Sequence, residues 1–147
     1  TEETRTVIVE EAFDDTATLV VTGIDAVRTF AIADNTFENG WAWTFHVTVP
    51  TSETDFAMKF DDFISGANTL LAATNIRYYT AQSSLHSAAE TAVTIIGANT
   101  YPTSIILDDD LSANTAGRQI DVVVETRVPS GTPGGSYGTS YGVASGI

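Results

Sequence analysis

Apolar and polar residues alternate with a period of two along most of this chain. In Trp41-Ala42-Trp43-Thr44-Phe45-His46-Val47-Thr48-Val49 every odd position is bulky and apolar, and the even positions are small or polar. That pattern predicts a half-buried strand with both tryptophans on the core side. Phe56–Phe60 repeats it, and so does Ile120–Val128, with Val123 as the one apolar residue on the outward side. Further strands are predicted at Thr4–Glu10, Thr16–Ile24, Val27–Ala33, Asn75–Thr80, Thr91–Ile96, Thr103–Leu107 and Tyr137–Val143. Turn-forming residues separate them, among them Asp34-Asn35, Asn39-Gly40, Ser65-Gly66, Asp108–Asp110 and Pro129–Gly135. Only Ala81–Glu90 resembles a helix, and its serines make a loop with one helical turn an equal reading.

About nine to ten short, mostly antiparallel strands separated by turns point to an all-β fold, a single Ig-like or jelly-roll β-sandwich. A closed barrel is the alternative topology. Trp43, Phe45, Val47, Val49 and Pro50 find an echo in Val122, Val124, Thr126, Val128 and Pro129. Each strand ends in Val-Pro, and proline, lacking an N–H, suits a strand's exit. Two similar sheet corners explain the echo without a duplicated domain. Residues 1–13 read as an N-terminal strand extension, and 14–147 as the sandwich.

Composition adds limits. The 147 residues fit one domain with a sizeable core. Nineteen acidic against six basic residues give a net charge of −13, which repels phosphate backbones, so no nucleic-acid partner is expected. There is no cysteine, hence no disulfide and no thiolate chemistry. No apolar run approaches the ~20 residues of a membrane span. The opening Thr-Glu-Glu-Thr resembles the end left after removal of a signal peptide, so an extracellular or cell-surface location is expected.

Catalytic chemistry is hard to find. His46 sits on the polar side of a predicted strand and His86 in the serine-rich segment, neither with a second histidine at ligand spacing. Glu90 follows His86 by four positions, which is too few groups for a metal. No Gly-x-Ser-x-Gly elbow or phosphate loop is present, and the chain is expected not to be an enzyme and to hold no cofactor. Asp108, Asp109 and Asp110 are the metal candidates, since calcium takes carboxylate and carbonyl oxygens. Consecutive aspartates at a strand end point in different directions, so a solvated turn is the expectation and calcium the alternative. Exposed aromatic rings would suit a sugar, but the two tryptophans read as core. Tyr78-Tyr79 must split, one ring in and one out.

The two ends carry the sharpest features. Thr4-Arg5-Thr6-Val7-Ile8-Val9-Glu10 is a strong strand former at a chain end. Such a strand joins its own sheet or completes a neighbour's, where main-chain hydrogen bonds supply affinity and alternating side chains the register. Thr4, Thr6, Val7, Ile8, Val9 and Phe13 are its candidate intersubunit residues. Contacts of that kind are head-to-tail, and those that fail to close into rings form filaments. Near the other end, Gly138, Ser140 and Gly142 share one nearly bare strand face, a candidate interface that something approaches closely.

The segment Val128-Pro129-Ser130-Gly131-Thr132-Pro133-Gly134-Gly135-Ser136-Tyr137, leading into a small-residue last strand, resembles the end of many secreted bacterial and archaeal β-sandwich surface proteins. Among these are pilin-like subunits that polymerise by donating an N-terminal strand. The resemblance covers about 20 residues and lacks the cysteine pair of some pilin families. It implies an extracellular filament or surface subunit whose partners are copies of itself. The alternative is a secreted carbohydrate- or surface-binding module, with calcium as a candidate ligand.

Overall fold

The alternating segments pair into two facing sheets in the computed structural model, which describes residues 3–14, 19–49, 55–80, 92–107, 113–114 and 117–145. For 3–14, 113–114 and 117–119 the description is of the backbone. The described residues form thirteen strands and contain no helix. The chain is a single β-sandwich, as the alternation predicts.

The front sheet runs β10 (Ile105–Ile106), β5 (Asp55–Phe60), β13 (Gly135–Ala144), β1 (Glu3–Asp14) and β3 (Ala31–Ile32). A small hairpin, β6 (Phe63–Ser65) and β7 (Asn68–Leu70), joins it through β13. The back sheet runs β2 (Val20–Arg28), β4 (Trp41–Val49), β12 (Gly117–Thr126), β8 (Ile76–Thr80) and β9 (Val93–Thr94), with β11 (Ala113–Asn114) beside β12. All ladders are antiparallel except one. β1 and β13 run parallel, from Thr4 opposite Gly135 to Asp14 opposite Val143.

The core is built by rings that cross between the sheets. Trp41 of β4 lies 4.9 Å from Phe63 and 5.8 Å from Tyr137, and Phe45 meets Tyr141 edge-on at 5.1 Å. Further along, Phe56 of β5 meets Tyr78 of β8 edge-on at 6.4 Å. Tilted and edge-to-face pairs suit the ring quadrupole. Trp41, Trp43, Phe45, Val47 and Val49 are all buried, so both tryptophans are core.

The two Val-Pro corners fall into place here. β4 and β12 are antiparallel neighbours, with Phe45 opposite Val122 and Trp43 opposite Val124. Each leaves the back sheet for a strand of the front sheet, β5 or β13, and those two are neighbours in turn. The echo therefore marks two equivalent crossings at opposite ends of one sandwich.

Some strand bounds differ from those predicted. The region divided between Thr16–Ile24 and Val27–Ala33 holds one strand, β2, with a two-residue β3 after it. Register shifts between Val21 and Gly23, and between Ala26 and Arg28, break the period of two that the division relied on. The β6–β7 hairpin adds two strands too short to alternate visibly, around a turn where Gly66 takes φ +59°.

Gly40 precedes β4 with no room for a side chain: a Cβ there would lie 1.7 Å from the Thr126 carbonyl oxygen. Trp41 next to it is fully buried, and its truncation leaves a cavity lined by Phe63 and Tyr137. Trp41→Ala is expected to cost about 3–5 kcal/mol in urea unfolding, with an unchanged slope if the sandwich still unfolds in one step.

Candidate assembly interface

β1 is the element on which the sequence places the assembly residues. In this single chain it lies in its own sheet, where Val7, Ile8 and Val9 stand opposite Tyr137, Gly138 and Thr139 of β13. Thr4 stands opposite both Gly135 and Ala31, and Phe13 opposite Gly142. On its far side, β1 is paired only where Glu3 and Thr4 meet β3. From Arg5 to Asp14 no strand lies beyond it among the described residues.

The other margin of the front sheet is finished quite differently. β5 pairs with β10 through Phe56 and Asp55. Next to that ladder the Met58 N–H donates to the Tyr78 hydroxyl, 3.0 Å away across the sandwich. The Phe60 carbonyl accepts from the Asn99 N–H at 2.8 Å. A side chain of the opposite sheet and a loop thus occupy the polar groups that would invite another strand.

Charge fits the β1–β13 pairing. β1 carries Glu3, Glu10, Glu11 and Asp14 against Arg5, whereas residues 126–147 contain no acid. An acidic strand beside another acidic strand would repel; beside the uncharged β13 it does not.

The bare face of β13 is met by the chain itself at one position. A Cβ on Gly142 would lie 2.9 Å from the Tyr101 hydroxyl oxygen and 3.0 Å from Lys59 Cε. The close approach read from the glycines is therefore made there by the loop before β10 and by β5. Gly138 stands between Ile8 of β1 and Ile64 of β6, and Ser140 stands opposite Glu10.

The remaining candidates separate. Tyr78 is buried and Tyr79 half-buried, the split predicted for adjacent strand positions. Asp108, Asp109, Asp110, His86 and the Ala81–Glu90 segment lie outside the described residues. Among the described residues no group of three metal-ligating side chains is placed to hold an ion, and no helix is long and apolar enough to cross a membrane. Val20 of β2, Ile106 of β10 and Ile96, which follows β9, are exposed.

A cleft of about 300 Å³ opens between Thr69–Leu71 with Asn75 and the loop Pro129–Pro133. No charged and no aromatic side chain lines it. A sugar would find hydroxyls there, but no ring to stack on.

One cluster escaped the sequence reading altogether. On the outer face of the back sheet, His46 Nδ1 lies 2.7 Å from Asp121 Oδ1, and Nε2 lies 2.7 Å from Asp25 Oδ2. Hydrogen bonding to Asp25 first, and to Asp121 next, raises the imidazole above its usual 6.5. The partners lie 21 and 75 positions away in sequence, so only the strand pairing could reveal them.

Compared with known protein families and with curated protein sequences, the chain matches none.

The glycine face yields a direct test. Gly142→Val would drive Tyr101 and Lys59 from their places, and a loss of about 1–3 kcal/mol is expected by thermal or urea unfolding. Gly131→Ser, in the open loop where nothing lies within 4 Å of the added Cβ, relieves no contact and meets only the strain of φ +88°. Its cost should be the smaller of the two.

Proposed function

We propose that this chain is a non-catalytic structural module of an extracellular assembly, linked to further copies through its first strand. The observation that carries the reading is the asymmetry of β1. It is zipped to β13 along nearly its whole length, yet among the described residues it is held on the other side only at Glu3 and Thr4. A terminal strand in such a slot can leave it and be replaced by the same strand of a neighbour, because every main-chain hydrogen bond is preserved in the exchange.

Connectivity favours this. β1 belongs to the front sheet and β2 to the back sheet, so residues 15–19 are the covalent link from β1 to β2. The parallel pairing also brings the chain in at one pole and out at the other, about 33 Å apart for ten strand residues. Modules of that kind line up end to end. An acidic strand donated beside the uncharged β13 of a neighbour adds no like-charge contact at the junction, although each copy keeps its net charge of −13.

A cross-link distinguishes the two placements of β1. Glu10 stands opposite Ser140, and the chain has no cysteine of its own. In Glu10→Cys/Ser140→Cys, oxidised at high protein concentration, an exchanged strand gives a reducible ladder of covalent oligomers on a denaturing gel. Negative-stain images of that material should show particles joined end to end. A product consisting solely of cross-linked monomer, whatever the concentration, would end the strand-exchange reading.

A further inference from the structure

The outer face of the back sheet carries a charged clamp that joins three strands. Asp25 of β2, His46 of β4 and Asp121 of β12 lie side by side, and each ring nitrogen is 2.7 Å from a carboxylate oxygen. A neutral imidazole has one N–H and one lone pair. It can satisfy one of these carboxylates, but it presents its lone pair to the other. Two contacts this short fit the doubly protonated ring, which donates to both.

β2 is the strand that depends on the clamp. It lies at the margin of the back sheet, and its ladder to β4 is broken by register shifts on either side of Gly23–Ala26. Gly23 stands directly opposite His46, so this position of β2 offers no side chain of its own. The Thr22 hydroxyl donates to the His46 carbonyl at 3.2 Å, a second but neutral hold at the same place.

We propose that Asp25, His46 and Asp121 form a proton-operated latch, which fastens the marginal strand β2 to β4 and β12 when the imidazole is charged and loosens it when the proton leaves. Among the described residues, the other ionisable groups on this face do not substitute for it. Arg77 of β8 is paired with Glu125 of β12 at 2.7 Å. Tyr79 of β8 is pushed up by burial and by the Glu125 charge, so it stays neutral through the range in which imidazole titrates. From β4 itself, Thr44 and Thr48 flank His46 without charge.

The sign follows from the raised value of the imidazole. It is held above 6.5 in the folded chain, so the latch is fully closed below that pH. Its contribution is lost as the pH climbs through the folded-state titration. The latch does not depend on strand exchange by β1, since it lies on the other sheet.

Native-state hydrogen exchange between pH 5 and 9, corrected for intrinsic rates, tests this alongside the His46 Cε1 proton shift. Protection of the β2 amides should fall about two- to fivefold, with the same midpoint as His46 and above 6.5. Protection in β8 and β13 should not follow. In Asp25→Asn the pH step in β2 should vanish, and in His46→Arg, which keeps its charge, β2 should stay protected throughout. A flat β2 profile in the wild-type chain, or a step that survives in Asp25→Asn, would overturn the latch. That substitution lies at a position whose side chain is 74% exposed, so the fold should tolerate it.

Discussion

The parallel ladder between the first and last strands is the constraint around which this sandwich is organised. Parallel neighbours cannot be joined by a tight turn, and here the whole intervening chain serves as the connection. β13 is consequently held between β1 on one side and β5 and β6 on the other. Its inward tyrosines receive the rings of β4, since Tyr137 meets Trp41 and Tyr141 meets Phe45. Its outward position at Gly142 must stay small, because Tyr101 and Lys59 close over it. A strand with a bulky outward residue opposite Lys59 could not occupy this place.

Much of this was legible in the residues, for reasons that differ from strand to strand. β4 was read to its bounds because nine consecutive residues alternate and its inner row is uniformly large. β2 was not, because two register shifts disguise one strand as two. The β6–β7 hairpin was invisible as strands although its turn was marked by Ser65-Gly66. Among the site residues, the glycines of β13 signalled a close approach without naming Tyr101, which lies 41 positions earlier than Gly142. His46 looked like an ordinary polar-face residue, since nothing local distinguishes it; only the antiparallel pairing brings Asp121 beside it.

The scarce positive charges are spent inward. Arg77 stacks on Phe37 at 4.0 Å while pairing with Glu125, and Arg127 approaches the same ring at 5.5 Å. Arg28 donates to the carbonyls of Phe37 and Gly40. Three of the six basic residues thus fasten the turn that leads into β4. That turn is also stitched by Asp34, which accepts from Thr36 and Asn39 and whose carboxyl those bonds hold below its usual range. In a chain so rich in carboxylates, cations are worth most where they order backbone beside an aromatic face.

The capping of β5 by Tyr78 and Asn99 has a bearing on how such molecules can accumulate. Cross-β fibrils need every layer to template the next through both of its margins. A sheet with one margin chemically plugged can accept an additional strand from a single direction, and growth by unlimited lateral stacking stops at the first plugged layer. The Tyr78 hydroxyl, reaching over from the opposite sheet, therefore closes this stretch of β5 to sheet-to-sheet addition while the sandwich stays folded.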